Sequence, residues 1–131
     1  MKGYKTNIEL QTLGNDDFRK VLYTAPHLQL VLMNIKVGED IGMEINSDID
    51  QFFRIESGEG KCKIDNNDYH IAEGDAIVVP AGAKHNIINT GNTSLKLYTI
   101  YSPPNHQDKL VRITKNGAQI KDEKYNGRTT E

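Results

Sequence analysis

Short apolar runs, each broken after a few residues by Gly, Asn, Asp or Pro, dominate the middle of this 131-residue chain. The runs are rich in β-branched and aromatic residues, and helical periodicity is scarce. Runs of this length between turn residues are typical of an all-β sandwich or barrel. The sequence therefore predicts eight strands, over residues 18–23, 28–37, 51–56, 60–64, 68–72, 76–79, 85–89 and 95–101.

The clearest hairpin joins the predicted strands 60–64 and 68–72. Asn66 and Asn67 lie between them, and asparagine tolerates the positive φ angles that a tight turn requires. We expect these two strands to pair.

One domain is expected at this length, because the chain is long enough to bury a single core. After Pro103 and Pro104 the density of apolar residues falls. We therefore predict one barrel domain over residues 1–114 and a poorly packed C-terminal tail over 115–131, with a short helix near 114–124.

Two segments have regular glycine spacing. Residues 74–89 follow the pattern G-x5-P-x-G-x2-H-x3-N, and residues 38–58 follow G-x5-E-x-N-x4-Q-x6-G. The first resembles the second motif of the cupin family. The other keeps the glycine spacing of the first cupin motif, G-x5-H-x-H-x4-E-x6-G, but changes its three ligand residues. The resemblance covers about residues 28–105 and implies the cupin double-stranded β-helix, a jelly-roll-like barrel.

The resemblance also implies a metal site inside the barrel. It places Glu44 and Asn46 where the family has two histidines and Gln51 where it has a glutamate, while His85 is unchanged. Glu44 and Asn46 are two residues apart and so lie on one face of a strand. This oxygen-rich set is expected to hold a divalent ion, Mn²⁺, Fe²⁺, Ni²⁺ or Zn²⁺. Asn46 is the weakest donor of the set.

Aromatic residues are the candidates for a substrate pocket. Phe52 and Phe53 are adjacent, so on a strand they face opposite ways. Tyr98 and Tyr101 are three residues apart and therefore also face opposite ways. An inward ring supplies an apolar wall, and a tyrosine hydroxyl supplies an orienting hydrogen bond. The pocket residues that we predict are Phe53 together with Tyr98 or Tyr101.

The other histidines and the cysteine have structural interpretations. His27 and His70 are expected to serve the fold, and His106, which follows two prolines, is expected to cap the barrel mouth. Cys62 lies between two lysines on a strand, and these point to the opposite face. Cys62 is therefore predicted to pack in the core.

Three functions remain open from the sequence. The first is a metal-binding barrel that acts on or binds a small sugar or organic acid, and similarity to small cupins implies phosphomannose-isomerase-like chemistry. The second is a metal-free or weakly metallated barrel that binds or senses a small molecule without catalysis. The third is a metal-dependent dioxygenase or lyase. No independent general base is evident, so catalytic residues and substrate stay unassigned.

Composition excludes several partners. The chain has 16 basic and 18 acidic residues with no basic cluster, so nucleic-acid binding is not expected. No apolar run is long enough for a membrane span or a signal peptide. A single cysteine excludes an internal disulfide and suits the cytoplasm. Family likeness implies a homodimer, and residues 18–37 are a candidate part of its interface.

Overall fold

The computed structural model describes residues 1–120 and 124–131. Two antiparallel sheets pack around one hydrophobic core. The strands are β1 (Arg19–Thr24), β2 (Gln29–Ile35), β3 (Glu44–Ile45), β4 (Asp50–Ser57), β5 (Glu59–Ile64), β6 (Asn67–Ala72), β7 (Ala76–Val79), β8 (Lys84–Asn89), β9 (Leu95–Ser102) and β10 (Val111–Arg112). The larger sheet has the order β10-β1-β2-β9-β4-β7, and the smaller has the order β3-β8-β5-β6.

All eight predicted strands are confirmed, with ends displaced by one or two residues. Two short strands, β3 and β10, and the helix α1 (Ile8–Leu13) were not predicted. Six residues are too few for helical periodicity to be visible, and the Asn7 side chain caps α1 by accepting from the Leu10 N–H. The short C-terminal helix is present as α2 (Lys115–Ile120), while residues 121–123 of the predicted segment lie outside the described residues.

The predicted hairpin pairs β5 with β6, which confirms the expected pairing. Ile64 lies opposite Asn67, so the loop consists of Asp65 and Asn66 alone. The positive φ angle, +50°, belongs to Asp65 and not to the asparagines. Aspartate tolerates this conformation for the same reason as asparagine, because its short polar side chain can bond the local backbone.

Alternation along the strands gives the barrel interior two chemically different ends. Leu95, Leu97, Thr99 and Tyr101 follow one another on the inner face of β9, and all four are buried. We call the buried set Gln29, Gln51, His85, Thr99 and Tyr101 the polar end. We call the buried set Ile35, Ile55, Ile87, Leu95 and Leu97 the apolar end.

The strand registers explain this division. Tyr101 lies opposite Gln29 on one side and Gln51 on the other, and Leu97 lies opposite Met33 and Ile55. Polar residues therefore lie opposite polar residues, and apolar opposite apolar, across the neighbouring strands β2, β9 and β4. The core prediction for Cys62 is confirmed, because its side chain, on β5, is fully buried and belongs to the hydrophobic core.

The glycines of the two motifs are needed by the backbone. Gly58 has a φ angle of +94°, and a Cβ atom there would lie 2.6 Å from the carbonyl oxygen of Ser94. Gly82 has a φ angle of +88°, in the turn before β8. Any residue with a side chain is strained at such angles. The spacing of these glycines therefore fixes where the strands turn, whatever the ligand residues between them are.

The end of the chain returns to the barrel. Tyr125 donates its backbone N–H to the Asn105 carbonyl at 3.0 Å, and Thr130 donates to the Thr24 carbonyl at 2.9 Å. Most side chains over 124–131 are nevertheless exposed or half-buried. The predicted domain boundary at 114 stays a prediction. Among the described residues, every helix is too short and too polar to cross a bilayer.

Candidate functional site

His85 is buried in the polar end, with a relative exposure of 1%. Its Nδ1 lies 3.3 Å from the Ala83 carbonyl oxygen, and its Nε2 is buried with no hydrogen-bond partner. When Nδ1 carries the proton and donates to this carbonyl, Nε2 presents a lone pair to the interior. This is the arrangement by which proteins commonly orient a metal-binding histidine.

Gln51, near the start of β4, belongs to the polar end, and like His85 it has one side-chain atom fixed by a hydrogen bond and one without a partner. Its Nε2 donates to the Thr99 hydroxyl at 2.9 Å, and its Oε1 is buried with no hydrogen-bond partner. The amide is therefore fixed by its nitrogen, which leaves the carbonyl oxygen as an unused acceptor. Gln51 and His85 each have one buried atom that can bind a further group.

Glu44 lies directly opposite His85, since β3 pairs with β8 in that register. Opposite residues of an antiparallel pair project to the same face of the sheet. Asn46, two residues further on, accepts the Gly82 N–H at its backbone oxygen, and its side-chain Nδ2 is buried without a partner. The structure thus places Glu44 opposite His85 and Asn46 against the turn before β8.

The chemistry of these residues fits a divalent ion with mixed ligands. An imidazole nitrogen from His85, a carbonyl oxygen from Gln51 and a carboxylate from Glu44 are all known ligand types for such ions. The amide of Asn46 presents nitrogen, and rotation by 180° would present Oδ1 in its place. Within the described part of the chain, no group of three His, Cys, Asp or Glu residues is placed to hold a metal. Any site here would therefore depend on an amide oxygen, from Gln51 or from a rotated Asn46.

Tyr101 connects this set to a second histidine. The Tyr101 hydroxyl lies 3.2 Å from His106 Nε2, and the two rings meet edge to face with centroids 5.1 Å apart. Burial raises the pKa of Tyr101 to about 12. Burial also lowers the pKa of His106 to about 3, and the positive charges of Arg19, Lys124 and Arg112 act in the same direction. Both groups are therefore neutral near pH 7.

His106 is positioned by Gln29. The Gln29 Oε1 accepts the backbone N–H groups of Asn105 and His106, at 3.1 and 3.0 Å, and its Nε2 donates to the His106 carbonyl at 2.8 Å. A buried amide with all of these partners holds the loop after β9 in one position. The predicted place of His106 at the barrel mouth agrees with its contact to the last inward residue of β9, Tyr101.

The predicted pocket residues separate into two groups. Phe53 is fully buried, and its ring centroid lies 6.2 Å from that of His85. Tyr101 joins the same region, as described above. Tyr98 instead packs against Phe52 with centroids 6.3 Å apart, on the other face of β9 and β4. The structure therefore brings Phe53 and Tyr101 to the site and leaves Tyr98 outside the barrel.

Two groups of this region were not assigned to the site from the sequence. Arg19 is buried on the inward face of β1, the face that it shares with Val21 of the core. Strand alternation could have identified Arg19, because it is two residues from Val21 and so shares the face of that core residue. An arginine at a position that faces the core is unusual. His106 has no such signal, since it follows two prolines in a loop. His27 and His70 are exposed, and His70 lies 3.2 Å from Glu59.

Comparison with known proteins agrees with this architecture. Residues 31–101 match the model of the cupin domain. The Bacillus subtilis uncharacterized protein YrkC is 48% identical over 120 residues, which is 87% of this chain and 64% of that protein. The mimivirus protein L612 is 50% identical over 109 residues, 79% of this chain and 67% of that protein. This chain thus spans about two thirds of the length of either relative.

Solved structures give the same result. The structure of BH2720 from Bacillus halodurans superposes with a TM-score of 0.90 at 43% identity, covering 92% of this chain and 96% of that one. The structure of KdgF from Halomonas sp. has a TM-score of 0.61 at 22% identity, over 65% of this chain and 76% of the other, and shows a shared fold alone. From the two sheets, the two glycine-spaced motifs and these matches, the chain belongs to the cupin family.

Proposed function

We propose that this cupin barrel binds a divalent metal ion and binds or acts on a small oxygenated ligand, a sugar or an organic acid. The observation that carries the proposal is the pair of buried, unpartnered atoms His85 Nε2 and Gln51 Oε1. A buried polar atom without a partner is destabilising by about 1–3 kcal/mol. A metal ion or ligand at these atoms would offset that loss.

The neighbouring groups support a metal ion in particular. Ala83 and Thr99 fix the outer atoms of His85 and Gln51, so that only a lone pair of each is left for the interior. Glu44 adds a carboxylate directly opposite His85. A bound divalent ion would supply a Lewis acid that polarises an oxygen of the ligand. Phe53 would limit the entry of water on the side of the His85 ring.

Metal content by ICP mass spectrometry tests this proposal. The full chain is purified without a His tag, as wild type and as His85→Ala and Glu44→Ala. We expect near-stoichiometric Mn, Fe, Ni or Zn in the wild type and loss of the metal in both variants. His27→Ala and Glu73→Ala are the matched controls, because both residues are exposed. Wild-type protein that is metal-free and takes up no added ion would refute the proposal.

A metal-free barrel that binds or senses a small molecule is the second candidate. One observation favours it: the buried atom of Asn46 is its amide nitrogen, a hydrogen-bond donor and not a metal ligand. A donor at this place suits an oxygen of an organic ligand. Metal-free wild-type protein that nevertheless gains thermal stability with a sugar or an organic acid would support this alternative.

We also propose that the protein forms a homodimer. Within residues 18–37, Leu28 and Val37, which flank β2, are 43% and 55% exposed, and this leaves apolar surface to cover. Size-exclusion chromatography with light scattering measures the mass directly. A clean monomer at micromolar concentration would contradict the proposal.

A further inference from the structure

The polar end is closed to solvent. Each of its five residues has a relative exposure of 2% or less. His85 Nε2 and Gln51 Oε1, the atoms proposed to bind a metal ion or ligand, lie in this closed interior without a partner. An ion or ligand therefore reaches them only when part of the surrounding structure moves, and the part that opens most easily sets the rate.

Residues 124–131 lie against one side of this end. Tyr125 donates its backbone N–H to the Asn105 carbonyl at 3.0 Å, and the residue before it forms an antiparallel bridge with His106. The loop that is held in this way contacts the polar end directly, because His106 Nε2 lies 3.2 Å from the Tyr101 hydroxyl. The segment therefore covers the loop that covers the polar end.

The other end of the segment pairs with the end of β1. Thr130 donates its backbone N–H to the Thr24 carbonyl at 2.9 Å, and Thr24 donates its own to the Thr130 hydroxyl at 2.8 Å. Thr24 is fully buried, and its hydroxyl accepts from Gln29 Nε2 of the polar end at 3.0 Å. The segment therefore extends from the loop after β9 to β1 and meets a neighbour of the polar end at both of its ends.

This segment is the least buried part of the cover. It belongs to neither sheet, and its side chains are exposed or half-buried throughout. Asn105 and His106 beneath it are buried. Segments with few buried contacts open at a lower free energy than paired strands do. Residues 124–131 are therefore the part of the cover that should open first.

One carboxylate fastens the segment to the rest of the fold. Glu131 accepts the Gly3 backbone N–H at 2.9 Å, and it also accepts the Lys2 backbone N–H and the Tyr23 hydroxyl. Hydrogen bonds from Lys2 and Tyr23 hold the pKa of Glu131 below its ordinary value, so the group is ionised near neutral pH. Hydrogen bonds to an ionised acceptor are stronger than neutral ones. Glu131 is therefore the residue at which one substitution should loosen the segment most.

We propose that residues 124–131 form a strap that closes the polar end, that the Glu131 carboxylate is its latch, and that release of the strap admits small solutes to His85 and Gln51. The inference rests on the proposed function only in taking the polar end as the ligand site. The latch sets the rates of entry and of release alike, so the affinity at equilibrium should change little.

Labelling by diethyl pyrocarbonate tests the strap on the EDTA-treated full chain at pH 7. The reagent modifies neutral imidazole nitrogens that solvent reaches, and mass spectrometry of peptides gives the rate for each of the four histidines. We expect Glu131→Ala to label His85 and His106 about tenfold faster than wild type, since loss of one charge-assisted hydrogen bond shifts an opening equilibrium by about that factor.

The chain supplies its own controls. His27 and His70 are exposed, so their labelling rates should stay the same in every variant. Glu73→Ala removes another exposed carboxylate and should label like the wild type.

A second variant removes a single bond of the latch. Tyr23→Phe loses only the hydroxyl that donates to Glu131 and keeps the ring that stacks on Tyr4. It should raise the rate at His85 in the same direction by a smaller factor, and it keeps the test usable if Glu131→Ala folds poorly.

Hydrogen exchange of the β9 amides separates release of the strap from opening of the whole barrel, because β9 pairs with both β2 and β4. These amides should exchange at the wild-type rate in both variants. Unchanged labelling of His85 in Glu131→Ala and Tyr23→Phe would overturn the inference. Faster labelling of His106 alone would also overturn it, as would faster labelling that is matched by an equal acceleration of β9 exchange.

Metal uptake separates this inference from the proposed function. When a divalent ion binds, Glu131→Ala should take up and release Mn²⁺ about tenfold faster than wild type, with unchanged metal content. Protein that binds no metal would refute the metal site and leave the histidine labelling as the test of the strap. Metal uptake at the wild-type rate, together with unchanged His85 labelling, would refute only the strap.

Discussion

The two ends of the barrel interior differ although the same strands build both. Along the inner face of β9 the residues change from Leu95 and Leu97 to Thr99 and Tyr101 within one strand. At the apolar end, the buried side chains are aliphatic and need only packing. At the polar end, Gln51 and His85 each have a buried atom without a partner. The contrast indicates that the apolar end carries most of the stability, and under the proposed function the polar end exchanges stability for binding.

The first prediction tests the apolar end and has the largest expected effect. Leu97→Ala removes a fully buried side chain from the middle of the larger sheet. The cavity should reduce the free energy of unfolding by about 2–5 kcal/mol, as measured by urea denaturation. Ile100→Ala, on the outer face of the same strand and only half-buried, should have a smaller effect. Equal losses in the two variants would contradict the difference between the faces.

The second prediction concerns acid stability at the polar end. The pKa of His106 is about 3 in the folded protein, below its ordinary value of 6.5. Between these two pH values the unfolded chain binds a proton that the folded chain does not. The free energy of unfolding therefore falls as the pH falls from about 6.5 toward 3. Between pH 7 and pH 4 the wild type should lose stability on the order of 3 kcal/mol more than His106→Gln does.

Thermal or urea unfolding at several pH values measures this difference. The positive charges of Arg19, Lys124 and Arg112 act on His106 in the same direction as burial does, and arginine and lysine side chains do not ordinarily titrate between pH 4 and pH 7. Carboxylates contribute to the pH dependence in both proteins, including Asp40, whose pKa is lowered by hydrogen bonds from Asn86 and Lys115. His27→Gln is the control, because this histidine is exposed. Parallel curves for wild type and His106→Gln would contradict the prediction.

The third prediction removes a polar pair from the polar end. In the double variant Gln51→Leu with Thr99→Val, both members of a buried hydrogen bond are replaced by apolar side chains of similar size. Such replacements are often neutral or stabilising. The free energy of unfolding should stay within about 1 kcal/mol of wild type or rise, while metal uptake is lost. A loss comparable to that of Leu97→Ala would show that the two ends do not differ in this way.

The fourth prediction has the smallest expected effect and lies outside the barrel. Lys61 and Lys63 both approach Asp68 across the hairpin, at 3.4 and 3.8 Å, and all three side chains are well exposed. Lys61→Ala should change the free energy of unfolding by less than about 0.5 kcal/mol at physiological salt. A loss above 1 kcal/mol in urea denaturation would mean that the surface contributes more than the comparison allows.

The sequence predicted the strands well because each is a short apolar run between turn residues. The glycine spacing predicted the motifs for a physical reason, since positions such as Gly58 and Gly82 have positive φ angles that other residues avoid. The helix α1 was missed because a six-residue element shows too little periodicity. Strand β3 was missed because it has only two residues.

The site was harder to predict than the fold. The family motifs identified His85, Gln51 and Glu44; Glu44 and His85 lie opposite each other on β3 and β8, and Gln51 lies on β4 of the other sheet. Arg19 comes from a strand outside both motifs, and its buried, inward position depends on the order of strands in the larger sheet. No local pattern contains that order.

The single cysteine can report how often the barrel opens. Cys62 is fully buried between the two sheets, and burial raises the pKa of its thiol to about 11. At pH 8 the folded chain should therefore react with an alkylating reagent only when β5 separates from its neighbours, because the thiolate is the nucleophile. Each modified molecule is then one that has opened at least once. The rate of labelling would measure how often the closed barrel lets solvent in, without the need to introduce another cysteine.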